Sequence, residues 1–515
     1  MQLTTPTKLM RWIVLVAVAG FMLLPVAGRA DDQSELIQKL LTRIEQLEQK
    51  VNALEAGQGI PPTSVPPTNM DTVKIQGLEQ KVENLEHEHK LDTEAAEARA
   101  RTTPRITAGA GGFAISSADT NFVLELKGLL QVDSRNFFGD NAYLEGNDGF
   151  FLRRARPIIE GTVFRDFEFN LTPDFGGNNV QLFDAWINYR NRPELQLKIG
   201  KFKGPVGFEN LQSDATLPFN ERSLVSNFVP SRNIGVQLWG ELAGGAVSYA
   251  GGVFNDAGDG RNPGHSDFND SKEFAGRLAF QPFKHTHLDS LQGFGFGAAG
   301  SYTDVNSNSA ALPGTTGGTL PGYVTSGLQQ YFAYNPATGT VVADGVHWRI
   351  SPYAYYTWGP FGVLGEYLTM NQGLARSGTS TRTTVSDSAW QASVQWVLTG
   401  EDASFNGIVP RKSFDPREGK WGAWQLVARF AQAGLDQDAF PVFADPSLSA
   451  YQATSWAVGV NWWLNRNVRV LTSYSQTWFD GGGDVNPAVS RSLVPPATVT
   501  HQNESLFTTR VQLAF

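Results

Sequence analysis

Phe507-Thr508-Thr509-Arg510-Val511-Gln512-Leu513-Ala514-Phe515 closes the sequence, and its alternation decides the fold. Phe507, Thr509, Val511, Leu513 and Phe515 share one face of a period-2 strand, while Thr508, Arg510 and Gln512 share the other. One face suits lipid and the other water. A strand of this pattern that stops on an aromatic is what an outer-membrane barrel presents for insertion. In a soluble protein it would be a half-buried edge, so the rest of the chain tips the balance.

Working outward, the same alternation recurs. Leu124, Leu126, Leu130 and Val132 face one way, against Glu125, Lys127, Gln131, Asp133 and Arg135. Trp390, Ala392, Val394, Trp396 and Leu398 oppose Gln391, Ser393, Gln395 and Thr399; Trp424, Leu426, Ala428 and Phe430 oppose Gln425 and Arg429. The pattern is apolar outside and polar inside. Aromatics crowd strand ends at Tyr353, Tyr355, Tyr356 and Trp358, and at Trp462 and Trp463, which suits interfacial girdles. Polar, glycine-rich stretches at 255–271, 303–322, 373–388 and 480–496 read as extracellular loops. About 410 residues, in strands of roughly 10 plus a turn or loop each, accommodate about 16 strands. The expected fold is all-β: a transmembrane antiparallel β-barrel over residues 105–515.

Export is written into the first thirty residues: Lys8 and Arg11, an apolar core from Trp12 to Leu24, and the small-x-small site Gly28-Arg29-Ala30 read as a signal peptide over 1–30. Its apolar run is short of the ~20 residues of a spanning helix. With no cysteine in 515 residues, disulfides, thiol nucleophiles and thiolate metal sites are excluded. The formal charge of −9 says little about a pore, whose selectivity depends on the charges at its constriction.

Residues 31–104 are expected to form a periplasmic α-helical coiled-coil arm. Ile37, Leu40, Ile44, Leu47, Val51 and Leu54 make an a/d stripe, and Ile75, Leu78, Val82 and Leu85 repeat it after a break rich in proline at 57–70. The alternative is an amphipathic helix that packs without pairing. Self-association, or a tie to the cell wall, would be the arm's use.

The densest basic cluster is Leu152-Arg153-Arg154-Ala155-Arg156-Pro157. On a strand continuing to Glu160 and Thr162, Arg154 and Arg156 point into the lumen, and planar guanidiniums on one wall suit phosphate. The alternative is a cluster that balances inward carboxylates such as Glu160, Glu168 and Asp184. Three other signals carry little. Gly295-Phe296-Gly297-Ala298-Ala299-Gly300 matches a dinucleotide-binding pattern but sits on an alternating strand. His285 and His287 lack a third metal ligand, and Asp256, Asp259, Asp267 and Asp270 lack EF-hand spacing. The histidines of the barrel region lie near no nucleophile motif. No enzyme activity, cofactor, metal site or nucleic-acid partner is expected.

The chain resembles the phosphate-selective porin O and P family of outer-membrane porins. The resemblance lies in Leu152 to Pro157, Pro173-Asp174-Phe175-Gly176-Gly177, Asp184-Ala185-Trp186, Gly200-Lys201-Phe202-Lys203-Gly204-Pro205-Val206-Gly207-Phe208-Glu209, Glu221-Arg222 and Val229-Pro230-Ser231-Arg232-Asn233-Ile234-Gly235. Later matches are Leu398-Thr399-Gly400-Glu401-Asp402, Gly422 to Leu426 and Gly459 to Asn465. It implies a trimeric barrel in the bacterial outer membrane, with a third extracellular loop folded inward over about Gly204 to Val229. Arg153, Arg154, Asp184, Ser213 and Arg222 become candidate lining residues, flanked by Lys201, Lys203 and Arg232; Arg156 joins them from the lumen pattern. The loop also carries Glu209, Asp214 and Glu221. The expected function is passive diffusion of small anions, with phosphate the candidate; a weakly selective porin, or a tether between outer membrane and cell wall, is the alternative.

Overall fold

The computed structural model describes residues 77, 80–81, 83–91, 93–94 and 103–515, apart from 139–147, 178–179, 257, 261, 263–269, 306–319, 321, 335–340, 447–448 and 482–502. The chain divides into two units, Met1–Glu94 and Ala95–Phe515. In the first, the described residues are helical and Leu85 is exposed. The signal segment, the first heptad stripe and the other positions of the second lie outside the described residues.

The second unit is built on alternation. Two strands, β1 (Arg105–Gly109) and β2 (Gly112–Ser116), form a hairpin. A closed ring of sixteen antiparallel strands follows. Its first half is β3 (Val123–Phe137), β4 (Gly149–Val163), β5 (Phe167–Asp174), β6 (Gln181–Arg192), β7 (Leu195–Phe202), β8 (Asn233–Leu242), β9 (Val247–Asn255), β10 (Lys272–Phe280) and β11 (Phe294–Val305). After a small separate pair, β12 (Tyr323–Val324) and β13 (Gln330–Phe332), the ring resumes with β14 (Val341–Trp358), β15 (Phe361–Arg376), β16 (Arg382–Val397), β17 (Ala423–Gly434), β18 (Gln452–Trp463), β19 (Val468–Asp480) and β20 (Glu504–Ala514). The ring therefore starts at β3. The hairpin of residues 105–116 is added to the foot of β3, Phe113 opposite Leu126 and Ser116 opposite Val123.

Closure is made by the stretch that ends the sequence. β20 pairs with β3 from Leu506 opposite Phe137 to Ala514 opposite Leu129, and Phe515 exchanges backbone hydrogen bonds of 2.9 and 3.0 Å with Gly128. Arg510 and Gln512 are buried on the lumen side, while Leu513 is exposed on the outer side. Closing the ring removes both sheet edges, which a membrane interior cannot tolerate. Gly128 leaves room for the terminal ring: a Cβ there would lie 2.8 Å from the tip of the Phe515 side chain, which would have to shift. Deleting Phe515 is accordingly expected to lower the yield of folded barrel severalfold in the outer membrane. Heat-modifiable mobility of membrane extracts on gels measures this, and unchanged yield would separate closure from the terminal aromatic.

Outward positions form an apolar band, with Leu126 and Leu130 on β3, Ile199 on β7, Phe274 and Leu278 on β10, Val394 and Trp396 on β16 and Val458 on β18 all exposed. Connections at the end holding Phe515 are mostly tight, such as 193–194 and 359–360, and those at the other end are long, including 203–232 and 435–451. That asymmetry sets the first end on the periplasmic side. One connection breaks it: residues 398–422, between β16 and β17, are long, and Ala403 and Ile408 are buried with Val397, Ala423 and Trp463.

Alternation inside the barrel also has an exception. On β15 the inward row contains Leu364, Leu368, Met370 and Leu374, all buried. Of these, Leu368, Met370 and Leu374 join Val385 and Ala389 of β16, Leu224, Val225, Phe228 and Val229 of the 203–232 connection, and Tyr323, Tyr331 and Phe332 in one cluster. The lumen wall is apolar there, where the loop covers it.

Candidate functional site

The connection from β7 to β8 folds into the lumen. It leaves the wall after Phe202, makes one helical turn, α1 (Phe208–Leu211), and a 3-10 turn (Leu224–Phe228), and rejoins at Asn233. Gly207 before α1 has φ +79, and Glu366 of β15 accepts the Phe208 and Glu209 N–H groups at 2.6 and 3.2 Å. From the periplasmic side, Phe405 of the 398–422 connection packs edge-on against Phe208, with centroids 6.2 Å apart, and its carbonyl accepts from the Thr216 hydroxyl at 3.3 Å.

The loop's three acids are held by arginines. Glu221 takes a two-pronged contact from Arg153 at 2.6 and 2.8 Å and a further contact from Arg510 at 3.1 Å. Arg510 also grips Asp133 at 2.6 and 2.7 Å. Asp214 lies between Arg222, at 2.5 Å, Arg154, at 3.4 Å, and Arg156, which also holds Asp174 at 2.6 Å. Glu209 pairs with Arg429 of β17 at 3.1 Å and accepts the Ser223 hydroxyl at 2.6 Å. Burial alone would raise the Asp214 and Glu221 carboxyls. The guanidiniums outweigh it and hold both well below the usual carboxylate range: Arg154, Arg222 and Arg156 around Asp214, and Arg153, Arg154 and Arg510 around Glu221.

Arg153 reaches Glu221 because β4 carries a bulge. Gln131 faces Arg154 while Val132 faces Leu152, leaving Arg153 as the extra residue. Two adjacent arginines thereby serve the loop, which strict alternation would forbid.

The remaining expected residues fall elsewhere. Arg232 pairs with Asp184 through two contacts of 3.0 Å. Ser213 is exposed at the loop's turn, its hydroxyl accepting the Ala215 N–H at 3.2 Å. Lys201 is buried at the end of β7 and has partners. Lys203 donates to the Gln212 carbonyl at 2.5 Å.

Lys203 also lines a cavity of about 290 Å³ together with Asp184, Trp186, Lys198, Phe202, Pro205, Leu211, Gln237, Trp239, Ala250 and Arg277. Lys198 and Arg277 are not among the residues expected from sequence. Both were legible: Lys198 alternates with the outward Leu195 and Ile199, and Arg277 with the outward Phe274 and Leu278. Lys198 holds its ammonium 4.4 Å from the Trp186 ring centroid and 5.1 Å from that of Trp239. Among the described residues, no carboxylate lies at ion-pair distance from Lys198, Lys203 or Arg277, whereas Asp184 is paired with Arg232. Burial, with Arg222 and Arg232 nearby, holds the Lys203 ammonium well below the usual lysine range.

A family profile described as phosphate-selective porin O and P matches residues 124–481. No curated protein matches the sequence. Similar solved structures include the anion-selective porin from Comamonas acidovorans, at 9% identity and TM-score 0.44, covering 76% of this chain and 100% of that one. The outer-membrane channel DcaP of Acinetobacter baumannii is 9% identical with TM-score 0.46, covering 77% and 98%. The trimer form of Vibrio cholerae OmpT is 10% identical with TM-score 0.43, covering 76% and 99%.

Proposed function

The chain belongs to the phosphate-selective porin O and P family, and from that premise we propose that this outer-membrane channel passes small anions by passive diffusion, with phosphate as the candidate solute. The observation that carries the reading is the division of lumen charge. The loop acids are matched by wall arginines, while Lys198, Lys203 and Arg277 face one cavity whose single carboxylate is already paired. Unmatched basic groups on a wall concentrate anions by Coulomb attraction, and contacts this few leave binding weak enough to release.

Arg153, Arg154, Arg156 and Arg222 act in this reading by fixing the loop, and Asp184 by orienting Arg232. Lys201 and Ser213 remain candidates at the margin of the path. Residues 1–30 serve as the export signal, 31–104 as a periplasmic arm whose a/d stripe pairs copies while the barrel sets the homotrimer, and 105–515 as the membrane unit. A contact of the arm with the cell wall is a separate role that leaves conduction untouched.

Phosphate added to one side of a planar bilayer is expected to reduce the chloride current through the purified channel at millimolar concentration. An unchanged current would remove phosphate as the solute and leave a less selective anion pore.

A further inference from the structure

We propose that the cavity between Lys198, Lys203 and Arg277 takes a planar organic anion of the benzoate class, its carboxylate on the basic groups and its ring on the tryptophans. The inference rests on the anion-channel reading and names the solute class that the same site fits. At about 290 Å³ the cavity lies near the lower end of small-molecule sites, about 300 to 1,000 Å³, which suits a single ring with one carboxylate.

The lining separates two kinds of anion. Trp186, Phe202, Pro205, Leu211 and Trp239 give the cavity an apolar side next to its basic groups. A small, strongly hydrated ion meets the basic groups but gains nothing from the apolar side, whereas an aromatic carboxylate covers that side with its ring and loses water only at one end. Aromatic faces attract a ring beyond the area they cover, through offset or edge-to-face contact.

The polar groups are set for one carboxylate and little else. Lys198 is held over the two indoles, so its ammonium is positioned before a solute arrives. Arg277 Nε is buried with no hydrogen-bond partner, and its Nη1 reaches only the Tyr353 hydroxyl at 3.5 Å. A buried donor left unmade is costly, and a carboxylate beside Lys198 satisfies it.

The test uses the full-length protein in planar bilayers with chloride as the carrier, adding benzoate, cyclohexanecarboxylate or inorganic phosphate. Cyclohexanecarboxylate has the same charge and a similar size without the π face. Benzoate is expected to halve the current at a concentration about two- to tenfold lower than cyclohexanecarboxylate. That difference should vanish in Trp186→Leu and in Trp239→Leu, and block by both acids should weaken in Lys198→Gln. Equal block by the two acids, or stronger block by phosphate than by benzoate, overturns the proposal. Reversal potential in potassium chloride, read on the same membranes, separates the two levels. Anion selectivity with equal block leaves the channel reading intact and removes the aromatic solute; no anion selectivity removes both.

Discussion

Glu221→Gln is expected to release the first half of the throat loop while the barrel stays folded, raising open-channel current noise and exposing Arg222 to trypsin. The charge removed is the partner of Arg153 and Arg510, with Arg154 and Arg135 within 3.7 Å. Breaking one side of a buried ion pair costs about 3 to 5 kcal/mol, because the remaining guanidiniums stay buried without compensation. The second half of the loop has a different hold. Leu224, Val225, Phe228 and Val229 are buried in the apolar cluster on β15 and β16, and each contributes about 1.5 to 3 kcal/mol. Their sum exceeds the lost pair, so the loop opens from its first half rather than leaving the wall.

The same residues predict how the native channel behaves with pH. Folded-state values for Asp214 and Glu221 lie below their ordinary ones. The stability they contribute is therefore fully present above the unfolded carboxylate range, near pH 4, and is lost only as pH falls through the lower folded values. Current noise is expected to be flat from pH 8 to 5 in the native protein and high throughout that range in Glu221→Gln. Noise that climbs in the native channel between pH 7 and 5 would show that the clamp is not made by these acids.

Replacing Lys198, Lys203 and Arg277 together by glutamine should bring the anion-to-cation permeability ratio close to unity. One unit charge about 4 Å from a permeant ion contributes about 1 kcal/mol in water and about 4 at the higher fields near protein. Even the lower figure is enough for the three together to account for a preference of several-fold. The change should be largest in dilute salt, since the screening length is about 30 Å at 0.01 M and about 8 Å at 0.15 M. A pH trend accompanies it. Lys203 gives up its proton below the usual lysine range, so native anion preference should decline as pH rises through that lowered value, and Lys203→Gln should remove the decline. Reversal potentials across a salt gradient measure both effects.

Much of this was legible in the sequence. The final strand's two faces, the inward Asp133 and Arg135 of β3 and the inward Arg154 and Arg156 of β4 follow from a period of two, which sterics impose on any strand. Arg153 was on the page as a basic residue, but its inward course depends on a bulge, whose register involves two strands at once. The partners of the arginines were less accessible. Glu209, Asp214 and Glu221 were visible as acids, yet only the folded loop brings Glu221 to Arg510, 289 residues away. Leu368, Met370 and Leu374 defeated the rule of a polar lumen because the loop supplies a dry surface for them. Lys198 and Arg277 obeyed the rule and carried no motif to single them out.

One division of charge governs the lumen: arginines neutralise the loop acids, and Lys198, Lys203 and Arg277 set the sign of the path. The reversal potential of the native protein in a planar bilayer, under a gradient of dilute potassium chloride at pH 7, tests it most directly. The predicted result is a potential of the sign set by chloride, several times more permeant than potassium. A potential at zero, or of the sign set by potassium, would contradict it.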